Sequence, residues 1–98
     1  MAETHTPTDV QAVLTERGQR YGKFADHAAV TVALKAMWRV HRTRQGLDAL
    51  EADQEEALDM ICHKIGRIVN GDPDYADSWV DIAGYAQLVA DRLRGVVR

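Results

Sequence analysis

Pro7 and Pro73 are the only prolines in the chain, and the apolar side chains between and beyond them recur at three- and four-residue intervals with no strict alternation. Proline removes a helical hydrogen bond and clashes with the preceding turn, so its confinement to two positions leaves room for long helices. Alternation with period two, the mark of a half-buried strand, is missing, and no internal repeat is evident. The chain is expected to be all-α, a four-helix bundle-like domain with short connections.

Thr6-Pro7 reads as a helix start, threonine capping and proline in the first turn. Val10, Val13 and Leu14 follow at helical spacing, and Gly18 is expected to end this first helix. Gly18-Gln19-Arg20-Tyr21-Gly22 is then a loop bracketed by glycines, and residues 1–5 are expected to fray. A second helix is expected from Phe24 to Thr43, apolar on two sides. One side is alanine-rich, with Ala25, Ala29, Val32, Ala36 and Val40; the other carries Val30, Leu34, Met37 and His41, flanked by Trp38. A helix apolar on most sides is central in its bundle or shared with another chain, which in a domain this small points to a homodimer. The third helix is expected from Ala52 to Gly71, with glycine in the left-handed conformation at its end and Leu58, Ile61, Cys62, Ile65, Ile68 and Val69 as its buried stripe. The fourth is expected from Asp77 to Arg94, burying Trp79, Ile82, Ala86, Val89 and Leu93.

Ninety-eight residues suffice for one core, so residues 6–98 are expected to be a single domain. Acidic and basic residues are interspersed at a formal charge of −3, without the broad basic footprint that duplex nucleic acid requires. Cys62 is the only cysteine, which excludes an intramolecular disulfide, and its apolar helical position reads as a buried, inert thiol. No apolar run is long enough to span a bilayer, and no signal-peptide pattern opens the chain. A cytoplasmic location is the expectation.

Two acidic pairs lie on consecutive helices. Glu56 and Asp59 are three positions apart, and Asp77 and Asp81 four apart, so each pair shares a helical face. Carboxylates gathered together repel unless a cation compensates, and magnesium suits such a site because it takes oxygen ligands and keeps waters for phosphate contact. Lys64 and Arg67 are then candidates to neutralise phosphate, His63 a candidate base or ligand, and Arg20, Tyr21 and Tyr85 candidates to reach phosphate or base. Antiparallel packing of the third and fourth helices would set Asp81 nearer to His63 and Arg67 than to Glu56, unless a second chain completes the cluster. The same carboxylates have a plainer reading. Acidic residues early in a helix favour the positive end of its dipole, Asp77 is a candidate N-cap, and Glu56 and Asp59 can pair with basic neighbours on a solvated surface.

The string Glu16-Arg17-Gly18-Gln19-Arg20-Tyr21-Gly22, with Phe24 beyond it, resembles the opening of a small phage-encoded domain of uncharacterised function. The runs Glu56 to Ile68, Asn70-Gly71-Asp72-Pro73, Tyr75 to Trp79 and Asp81 to Tyr85 continue that resemblance over residues 10–94. More distantly, the chain is similar to the MazG-like all-α nucleoside triphosphate pyrophosphohydrolases, which carry one acidic pair on a helix and a second on the next. This resemblance implies that Glu56, Asp59, Asp77 and Asp81 hold magnesium and act catalytically, in a dimer or tetramer. The second pair is spaced by four where that family has three, the acidic run of the first helix is reduced, and Lys64 stands where a carboxylate is usual. Three activities stay open: magnesium-dependent cleavage of a nucleotide between its α- and β-phosphates, capture of a nucleotide-like molecule without cleavage, and an oligomeric adaptor working through the second helix. The resemblance places the first two in the host cytoplasm, in the service of a phage or prophage.

Overall fold

The computed structural model describes residues 7–98, and every regular element among them is a helix: α1 (Pro7–Tyr21), α2 (Phe24–Arg44), α3 (Ala52–Asn70) and α4 (Ala76–Leu93). The all-α expectation is met. Thr6 and the stretch expected to fray lie outside the described residues.

Element ends follow local chemistry, with three departures from expectation. Gly18 does not stop α1; the helix continues to Tyr21, and the turn falls at Gly22, whose φ of +79° suits glycine. Gly71 follows α3 with φ −132°, outside the left-handed region expected of it. Its need for glycine has another origin: a Cβ there would overlap the backbone of Arg20 and Tyr21. Asp77 is not an N-cap, because α4 begins at Ala76 with Tyr75 in the capping position. The start of α3 is closed by a reciprocal capping box, in which the Glu51 side chain accepts from the Gln54 amide and the Gln54 side chain accepts from the Glu51 N–H at 2.9 Å.

α3 is the hub. It packs against α1, α2 and α4, while no close approach joins α4 to α1 or α2 among the described residues. α2 runs antiparallel to α3, since Thr31 and His27 near its start meet Gly66 near the end of α3, and Arg39 further along pairs with Glu55 and Asp59 near the beginning. α4 is antiparallel on another side, pinned by Lys64–Asp81 at 2.8 Å and Arg92–Asp53 at 2.6 Å. After α4 the chain turns back, and Arg98 and Gln87 together hold the buried carboxylate of Asp91 at 2.8 and 2.7 Å. No helix among the described residues is long and apolar enough to cross a membrane.

The packed surfaces differ from the stripes expected to be buried. On α2 the buried residues are His27 and Thr31; on α3 they are Ala57, Cys62 and Gly66. Gly66 explains the choice, since a Cβ at that position would lie 2.6 Å from Thr31 Cγ2 and 2.9 Å from the His27 ring. Small residues let the two backbones approach, and the large apolar side chains point elsewhere. Cys62 is buried as expected, and burial pushes its thiol above the ordinary range.

Candidate functional site

Where α1 ends and α2 begins, the Gly22 turn brings the last turns of α1 against the C-terminal half of α3. Three hydrogen bonds hold this junction. The Asn70 side-chain amide donates to the Tyr21 and Lys23 carbonyls, both at 3.0 Å, and the Asp72 N–H donates to the Arg20 carbonyl at 2.7 Å. A cleft of about 380 Å³ opens beside it. Leu14, Tyr21 and Phe24 supply its apolar surface, Arg17, Lys23 and Arg67 its charge, and His27 and His63 its inner wall.

Among the described residues the cleft is lined by three cations and no carboxylate, in a chain whose formal charge is −3. Among the described residues none of the three forms an ion pair. The Arg67 guanidinium lies 4.2 Å from the centre of the Tyr21 ring, a cation–π contact that positions it without neutralising it. Phe24, at the start of α2, is 79% exposed. An aromatic ring left in water beside unpaired cations offers a stacking surface to a planar ligand that carries negative charge.

The inner wall is a pair of histidines. His27 Nε2 and His63 Nδ1 are 3.2 Å apart, and the rings meet edge to face with centroids 4.7 Å apart. One nitrogen donates and the other accepts, so the contact requires at least one neutral ring. Burial, reinforced by the charge of Arg67 and by His27, lowers the His63 pKa to about 4. Burial lowers His27 as well, and its buried Nδ1, set against Gly66, makes no hydrogen bond of good geometry. Both rings are therefore neutral near pH 7, and with three of the four ring nitrogens paired with each other or buried, His63 Nε2 is the one left to exchange a hydrogen bond with a ligand.

The residues singled out from sequence divide between several places. Tyr21, His63 and Arg67 line the cleft together. Arg20 is nearby but engaged, 4.2 Å over the Tyr75 ring, donating to the Tyr75 hydroxyl at 3.3 Å and paired with Glu16. Lys64 is held by Asp81 and is largely covered. Tyr85 and Glu56 lie on a different groove, with Asp53 and Arg92 between α3 and α4.

The four carboxylates do not converge within one chain. Asp59 accepts from Arg39 at 3.0 Å, Asp81 is paired with Lys64, and Asp77 accepts from the Tyr75 hydroxyl at 2.9 Å. Glu56 remains on the α3–α4 groove. No three His, Cys, Asp or Glu side chains among the described residues are grouped to hold a metal ion. The physical reason is that α3 and α4 run antiparallel, which sets Asp81 beside Lys64 and separates the two pairs along the helices, while Asp59 turns to Arg39 on α2. As arranged in one chain, these residues do not fit a magnesium site.

Sequence reasoning missed Arg17, Lys23, Phe24 and His27. Their signal was the helix–glycine–helix punctuation around Gly22, which clusters basic and aromatic residues at one junction.

A domain of unknown function, DUF6378, matches residues 8–93. The chain belongs to this family. The DUF6378 match spans all four helices and the whole cleft, so the site is part of the domain itself. The match carries no activity with it and makes no connection to the MazG-like enzymes or to phage. No curated protein and no solved structure matches the chain.

Proposed function

We propose that this DUF6378 domain binds a phosphorylated, nucleotide-like small molecule in the cleft between α1, α2 and α3. The observation that carries the reading is the lining itself: Arg17, Lys23 and Arg67 face one cavity with, among the described residues, no carboxylate beside them and no ion pair of their own. Uncompensated cations around a concave apolar site favour a compact polyanion. Phe24 and Tyr21 suit the planar part of a nucleotide, as aromatic faces accept bases without regard to sequence. His63, oriented by its contact with His27, keeps Nε2 for a hydrogen bond that orients the ligand. The cleft's size is within the range of small-molecule sites. Capture without cleavage is the form of this reading that one chain supports, because Glu56, Asp59, Asp77 and Asp81 all lie outside the lining of the cleft. The resemblance to phage-encoded domains is compatible with a protein that manages a nucleotide pool or withdraws a nucleotide signal.

The test is incubation of the protein with nucleoside triphosphates, deoxynucleotides and cyclic dinucleotides, with and without magnesium, followed by chromatography of bound and released material. Intact ligand recovered after denaturation, with retention unaffected by magnesium, supports capture. Release of pyrophosphate only when magnesium is present would show instead that the protein is the hydrolase its acidic pairs led us to expect. Replacing Arg67 with alanine should weaken retention roughly ten- to a hundredfold, the loss of one charge-assisted hydrogen bond. Unchanged affinity would remove Arg67 from the site.

A further inference from the structure

The face of α3 and α4 that the sequence marks as core is only half covered, with Ile61, Ile65, Ile82 and Val89 partly exposed and Val69, Trp79 and Leu93 open to water. α3 turns His63 and Gly66 toward α2, and Lys64 and Asp53 toward α4. Leu58, Ile61, Ile65 and Val69 run down a further side at helical spacing, and Trp79, Ile82, Ala86 and Leu93 continue the apolar surface on α4. The two stripes meet at a groove of about 320 Å³ lined by Leu50, Leu58, Ile61, Ala86 and Val89. Yet Val69 is 63% exposed, Trp79 55% and Leu93 61%. No large side chain among the described residues is fully buried.

The areas give the scale of what is missing. The chain exposes 7291 Å², whereas a compact monomer of its mass exposes about 5,600 Å². The surplus of roughly 1,700 Å² is shared with exposed apolar side chains on α1 and α2, among them Leu14, Val32 and Met37, and still leaves room for the ~800 Å² that each partner contributes to a standard interface.

We infer that a second copy of this chain covers the α3–α4 face, so that Leu58, Ile61, Val69, Trp79 and Leu93 of two chains form one shared core. The occupant is a second copy because the deficit is in the fold itself. A partner met only occasionally would leave the chain without a core in the interval, whereas another copy is present wherever the chain is made. A two-fold arrangement lets the same self-complementary stripe serve both chains.

Sedimentation velocity of the full chain from submicromolar to high micromolar concentration tests this. The expected species is a dimer that dissociates, if at all, only on dilution, with a melting temperature that rises with concentration. Val69→Lys and Leu93→Lys place a charge where the single chain already meets water, so a monomer tolerates them. Each should weaken association at least tenfold, while Val32→Lys, on the outward side of α2, leaves it unchanged. A monomer with a concentration-independent melting temperature overturns the inference, and so does a dimer that survives both lysine substitutions. Should the lysine variants fail to fold, acrylamide quenching of Trp79 fluorescence in a Trp38→Phe background decides. Protection that grows with concentration supports the shared core, and free quenching at every concentration contradicts it.

Discussion

Arg67 and His63, one helical turn apart on α3, meet at the cleft in opposite states. Arg67 is steered by the Tyr21 ring, while His63 is held neutral to well below its ordinary range because it is partly buried beside that same guanidinium. This sets a pH dependence with a definite sign. The folded state holds His63 neutral down to about pH 4, and the unfolded chain protonates it near 6.5. Between those values the unfolded state binds more protons, so stability is highest above pH 6.5 and falls as the solution is acidified toward 4. His27 shifts in the same direction. Thermal melts across this interval should show the midpoint decreasing with pH, and His63→Gln should flatten the dependence. Asp53 and Asp91 act in another window. Arg92 holds the first below the usual carboxylate range, and Arg98 with Gln87 does so for the second, so their contributions are lost only in stronger acid. Of the cleft residues, Tyr21, His63 and Arg67 were legible from sequence because each is a group with obvious affinity for phosphate or base. His27 was not, since a histidine between Asp26 and Ala28 on a helix apolar on two sides carries no sign of which neighbour it will face.

At the level of elements, two glycines decide how α1 and α2 meet α3. Gly71 lies so close to the end of α1 that any side chain would strike the Arg20 and Tyr21 backbone, and Gly66 gives Thr31 and His27 their room. Gly71→Ala should destabilise the protein by about 1–3 kcal/mol, the usual cost of forcing an extra carbon into a packed contact, readable in denaturant unfolding. Gly66→Ala should also disturb the cleft by pushing the His27 ring, so ligand retention is expected to fall with it. Gly18 has nothing near its Cα, and Gly18→Ala should be stabilising by a few tenths of a kcal/mol to about 1 kcal/mol, as alanine is the better helix former. The four helices and their type were legible because period and punctuation agree along most of the chain. The end of α1 was misplaced since glycine inside a helix looks locally like a stop, and only packing of Tyr21 against Asn70 and Gly71 shows the helix continuing. The acidic pairs were also misassembled: spacing defines a face of one helix, but the partner that a face meets depends on helix direction.

For the whole molecule, the Cα radius of gyration is 16.7 Å, against about 12–13 Å for a compact chain of this length. The breadth has the same origin as the open α3–α4 face, with helices fanned around α3 instead of closed over a common interior. Sequence periodicity announced the apolar stripes but not that one chain leaves them uncovered, because a stripe has the same pattern whether its cover is intramolecular or a second copy. The cleft lies at the α1–α2 junction, away from that face, so ligand binding and association are expected to be separable. The most direct measurement is an amide chemical-shift titration of the isotopically labelled full chain with a nucleoside triphosphate. Binding as proposed concentrates the shifts at Gly18, Gly22, Lys23, His63 and Arg67, and the set collapses in Arg67→Ala. Shifts confined to Glu56, Tyr85 and Leu88, or none at saturating ligand, would contradict it.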